Sequence, residues 1–202
     1  MALKPLTFDR NYWPHPNTVA IPIMLSTGDS DYYMASGVPA VGEMALLKEF
    51  MPGSPRSVRV NSSGTWSDGA TGTWRLTGEN QFGEIIREEG TLADTVITHT
   101  TNAFRRVTKF EILTLDGGSE SIDAERVTVG YNNASTTVVG LPVRVTGNAA
   151  GSAVEVTSVM ERLGYYITSG VIDSKYNTVT QGAGWSDGTH FVFIRTNKTK
   201  DL

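Results

Sequence analysis

The chain has 202 residues and no cysteine, and its 17 basic and 21 acidic residues leave a formal charge of −4. Disulfide frameworks and thiolate metal sites are excluded, and without a basic block, nucleic acid and anionic membrane are poor partners. A chain of this length is one large domain or one domain with an appendage, and it buries roughly 70% of its unfolded surface without staples.

Residues 1–25 are punctuated by Pro5, Pro14, Pro16 and Pro22. Proline fixes φ and removes a donor, so this segment is expected to be an extended arm. Phe8, Tyr12 and Trp13, with Pro14 beside them, cannot leave their rings in water cheaply. The arm is therefore expected to lie on its own domain or on a neighbouring subunit, and the residues do not choose between these. The start of the chain lacks the continuous apolar core of a secretory signal, and no apolar run approaches the ~20 residues of a membrane span. The sequons at Asn61, Asn133 and Asn197 are accordingly read as chance.

Ile21–Leu25 is a short apolar run, after which Ser26 to Asp31 reads as a turn. Met44, Leu47 and Phe50 then recur every three residues, with Leu46 and Met51 near the same stripe and Pro52-Gly53 behind them. This spacing predicts one short helix near 41–51, a lid over one end of the fold.

From Val58 the pattern is β. Val58 and Val60 alternate with polar residues, as do Trp74 and Leu76, and Gly78 to Gly83 turns the chain into a strand over Glu84–Glu89. Further strands are predicted over Val96–Thr100, Phe104–Leu113, Arg126–Tyr131 and Thr137–Val145. In the Phe104 strand, Phe104, Phe110 and Ile112 share one parity and Val107 the other, which marks a bulge or burial on both faces. After residue 147, Tyr165–Ile172 and His190–Thr196 also read as strands, while Val154–Met160 fits a strand by its Val154/Val156 alternation and a helix by Val156, Val159, Met160 and Leu163, the flanking glycines and β-branched content favouring the strand. Many short strands between turn signals, with no βαβ alternation, predict an all-β antiparallel sandwich, Ig-like or jelly-roll-like. The expected division is an arm over 1–25, a main sandwich over 26–146, and a β region over 147–202 packed on the sandwich or completing it.

Sites of chemistry are sparse. Gly28-Asp29-Ser30 and the later pair Asp187 and His190 could form a GDS/SGNH-type esterase triad, with Ser30 as nucleophile, His190 as base and Asp187 orienting it. That reading is remote, because such a hydrolase needs an α/β sheet with several helices and further glycine and asparagine blocks. His15, His99 and His190 have no ligand spacing, and the acidic residues Asp29, Asp31, Asp116 and Glu120 lack a calcium loop. No metal and no cofactor are called for. Trp74 is expected in the core. Trp66 and Trp185 each open a Trp-Ser-Asp-Gly turn, and exposed aromatic loops mark protein interfaces more often than sugar sites.

The runs TWRLTGENQFGEIIREEGTL, VITHTTNAFRRVTKFEIL and VTVGYNNASTTVVGLPVRV, with GWSDGTHFVF near the end, resemble a family of tailed-bacteriophage virion proteins. The resemblance implies a structural protein made in the host cytoplasm and carried on the virion. It would be a capsid decoration or cement protein bound to the major capsid protein, as a homo-oligomer. A head–tail connector or tail position is the alternative. It implies no catalytic residue. Under this reading Phe8, Tyr12, Trp13, Pro14, Trp66 and Trp185 are the expected contacts with capsid or neighbouring subunit.

Overall fold

The computed structural model describes residues 18–63, 70–116, 125–132, 137–142, 154–161, 165–167, 171–173, 175–180 and 188–196. They form an all-β protein of fifteen strands in four antiparallel sheets.

Eight strands make the body. They are β2 (Asp29–Gly37), β3 (Gly42–Met44), β4 (Val58–Ser63), β5 (Thr71–Glu79), β6 (Ile85–Leu92), β7 (Ile97–His99), β8 (Arg106–Asp116) and β9 (Arg126–Tyr131). One sheet has the order β2-β9-β4-β7 and the other β3-β8-β5-β6. Across the eight, β2 pairs with β9, β3 with β8, β4 with β7 and β5 with β6. The chain is thus a long double ribbon folded over on itself, first strand against last and the two middle strands a hairpin. This connectivity is the jelly roll, and it selects between the two sandwich types the sequence left open.

Alternation explains why these residues form these strands. In β5 every second residue from Gly72 to Gly78 is buried and the rest are not; β4 alternates in the same way. The buried rows meet between the sheets as one core built from Tyr33, Val58, Val60, Trp74, Leu76, Phe104, Val107, Phe110, Ile112, Val127 and Val129. At roughly 25 cal/mol per Å² of apolar area removed from water, such rows are the main stabilising term. β8 loses one step of register opposite Thr73/Trp74 and another opposite Thr77/Gly78. The second bulge places Val107 on the core side together with Phe110 and Ile112, although its parity differs. The predicted irregularity is there.

The expected helix near 41–51 is not formed. Gly42–Met44 pairs with β8, Phe50 bridges Arg106, and Val107 N–H donates to Glu49 O while Met51 N–H donates to Arg105 O. The backbone of this stretch therefore satisfies its donors and acceptors along the β3 side of the sheet rather than within a helix. The stripe misleads because Leu47 and Phe50, 66% and 56% exposed, face away from the core that a helix would need. Gly42 also sits at φ 120°, outside helical space.

The remaining strands are β1 (Thr18–Leu25), β10 (Val138–Gly140), β11 (Val154–Glu161), β12 (Tyr165–Ile167), β13 (Val171–Asp173), β14 (Thr178–Thr180) and β15 (Gly188–Thr196). They form the sheets β1-β15-β11-β12 and β10-β14-β13. The end of the expected arm is therefore a strand along β15, with Thr18 opposite Arg195 and Leu25 opposite Gly188.

Arg56 holds these parts to the body. Its side chain is fully buried and donates to Ser26 O (3.0 Å), Ser26 Oγ (2.7 Å) and Pro52 O (3.0 Å), and its guanidinium lies 4.6 Å from the Tyr131 ring centre. Its backbone bridges both Phe104 and Val139. Nearby, Met24 and Ser54 exchange two hydrogen bonds of 2.9 Å, and Gln81 donates to the carbonyls of Tyr176 and Asn177.

Candidate interaction surfaces

Among the residues expected to make contacts, Phe8, Tyr12, Trp13, Pro14, Trp66 and Trp185 all lie outside the described residues. The strands flanking residues 64–69 end at one pole of the sandwich, where Ser63 faces Arg126 and Thr71 faces Asp116. Trp74 is in the core as expected. Its indole lies over β6 at Gly90, where an added Cβ would stand 2.4 Å from the ring.

The outward face of the β3-β8-β5-β6 sheet is laced with ion pairs. Arg75 meets Glu89 at 2.7 Å, Lys109 meets Glu111 at 2.8 Å and Glu43 at 3.4 Å, and Arg106 meets Glu49 at 2.5 Å and Glu79 at 3.2 Å. The hydrogen bond to Lys109 pulls the Glu111 carboxyl below its ordinary range, and Glu111 in turn raises Lys109. A face whose charges neutralise one another strand by strand is suited to water.

An apolar strip borders that face. Val38, Val41, Leu47 and Phe50 are all exposed, between 43% and 66%, and all lie on the connection from β2 to β4. Gly42 faces Ile112 and Phe50 faces Arg106 on β8, so these two points of the connection stand about 20 Å apart at the usual rise per strand residue. Phe50 is fixed under the Arg106 guanidinium at 5.1 Å, and Leu47 is held by its backbone N–H to Tyr33 O. The side chains therefore stand on an anchored backbone. Sequence reasoning put Leu47 and Phe50 on the buried side of a helix; their period of three was visible, but its direction depended on pairing with β8.

Ser30 lies exposed on β2, and His190 belongs to β15 in another sheet. Asp187 is outside the described residues. Asp31 donates its backbone N–H to Asp29 Oδ1, and side-chain hydrogen bonding to Asp29 raises the Asp31 carboxyl. Among the described residues no group of three or more His, Cys, Asp or Glu stands in position to hold a metal ion, and no helix is long and apolar enough to cross a membrane. No family model matches the chain, and neither a curated protein nor a solved structure matches it.

Proposed function

We propose that this chain is a non-enzymatic structural protein of a tailed-phage particle, bound to the outside of the head as a decoration or cement protein. The observation that carries the reading is the exposed apolar strip Val38, Val41, Leu47 and Phe50, anchored along one edge of the sandwich. Several large apolar side chains exposed on one short connection mark a protein-binding surface. The jelly roll supports it more weakly: viral shell domains use this architecture, and so do lectins and cupins. The likeness of the chain's motifs to virion proteins supplies the setting.

A cement protein gains adhesion from many modest contacts repeated over a shell. The strip offers such a contact to the major capsid protein, and a symmetric oligomer would multiply it. The formal charge of −4 keeps the free chain soluble and away from genomic DNA. The test is a Leu47→Asp, Phe50→Asp double variant added to particles stripped of this chain. Occupancy is expected to fall well below that of the unmodified chain while its melting transition is kept. Full occupancy by the variant would remove the strip from the account. Ester hydrolysis that disappears in Ser30→Ala would contradict the non-enzymatic reading itself.

A further inference from the structure

The outer face of the β2-β9-β4-β7 sheet carries a polar cluster that the particle reading does not use. Register puts His99 of β7 beside Arg59 of β4, Arg59 beside Gly130 of β9, and Asn61 beside both Ile97 and Thr128. Partners directly across one strand pair stand about 5 Å apart and diagonal ones about 7 Å, so Arg59 on β4 has His99 directly beside it on β7 and Thr128 diagonally from it on β9. Gly130 closes one side of this patch. The backbone of Asp29 and Ser30 lies over this glycine so closely that a Cβ there would be 2.1 Å from Asp29 O.

Three polar atoms of the patch, Arg59 Nε, His99 Nδ1 and Thr128 Oγ1, are shielded from solvent and have no hydrogen-bond partner. Their residues are only half-buried, so the patch remains reachable from outside. The charge pattern is equally one-sided. Arg59 joins no ion pair among the described residues, whereas Arg75, Arg106 and Lys109 on the opposite sheet all do. Its direct neighbour is a histidine. Two groups that both carry positive charge when protonated oppose each other across a strand pair, which destabilises unless something negative sits between them. Burial, and then the Arg59 charge, hold the His99 imidazole below its ordinary pKa.

We propose that this patch binds a single oxyanion, a carboxylate or a phosphate. The Arg59 fork would give two parallel N–H donors to two of its oxygens. His99 Nδ1, directly across from Arg59, would donate to the same group, and the like-charge contact between Arg59 and His99 becomes an attraction shared by the ligand. The site lies on the opposite sheet from the apolar strip and stands independently of the particle reading.

The test titrates the full chain with inorganic phosphate and, separately, with glutarate, at constant ionic strength, following the His99 imidazole by NMR. Either probe is expected to shift the His99 resonance saturably and raise its apparent pKa. Binding should weaken about tenfold or more in Arg59→Gln, the loss of one charge-assisted hydrogen bond or more. Arg105→Gln, which removes an exposed cation outside the patch, should bind as the unmodified chain does. Saturation by phosphate alone identifies a phosphoryl ligand, and saturation by both identifies a site open to carboxylates. A His99 signal that neither probe moves, or equal weakening in Arg59→Gln and Arg105→Gln, would overturn the proposal.

Discussion

At the scale of single residues, Arg56 does more to define this molecule than any exposed group. A fully buried guanidinium is tolerated because its donors meet carbonyls and a hydroxyl from segments otherwise far apart in the chain. Arg56→Met keeps much of the volume but strands Ser26 O and Pro52 O, and hydrogen bonds to a charged group contribute about 1.5–3 kcal/mol each. A loss of about 3 kcal/mol or more in denaturant unfolding is expected, and a loss under 1 kcal/mol would show that the hub is ornamental. Gly90 is a second such position. Gly90→Val drives a side chain into the Trp74 indole, which lies 2.4 Å from the Cβ position, so overpacking of about 1–3 kcal/mol and altered tryptophan fluorescence are expected. His99 sets a pH dependence. Its folded pKa is lowered from 6.5, so the unfolded chain takes up this proton first as pH falls. Stability contributed by His99 is present above 6.5 and declines below it, with a slope of at most about 1.4 kcal/mol per pH unit. Replacing His99 with Gln should flatten that part of the stability–pH curve; an unchanged curve would mean the imidazole titrates normally.

At the scale of elements, the chain's alternation reports burial faithfully where one face meets the core. β4, β5 and β9 stand where their period of two puts them, and even the bulges of β8 are visible as a break in parity. The stretch 41–51 fails for a physical reason. Met44, Leu47 and Phe50 have helical spacing, yet their backbone groups find partners on β8 and β2, and no local signal encodes that pairing. β2 is hidden for a related reason. Its burial pattern carries two adjacent buried residues, Tyr33 and Met34, across the irregular register with β9. The exposed strip was thus legible as residues and not as a surface. The basic patch was not legible at all, since Arg59 and His99 meet only through strand register. A helix-breaking substitution gives a direct check on the element itself: Ala45→Pro should leave the melting temperature nearly unchanged, because residues 45 and 46 carry no strand pairing. A loss near the ~3 kcal/mol cost of proline inside a helix would favour the helical reading.

At the scale of the molecule, two unlike faces lie back to back. One sheet neutralises its own charges; the other carries Arg59, which joins no ion pair among the described residues, directly beside His99. The jelly roll makes this separation stable, because pairing the first strand with the last leaves both faces rigid. The N-terminal segment is tied in through β1 and β15, so deleting residues 1–16, which precede β1, should leave the sandwich folded. If the aromatic residues there touch the shell, the same deletion lowers particle occupancy; unchanged occupancy would confine recognition to the sandwich. The most direct measurement of the central claim is the copy number of this chain in purified particles, obtained by quantitative mass spectrometry against the major shell protein. The account predicts a number commensurate with shell subunits. Absence from the particle, or a count matching one ring at the connector, would contradict it.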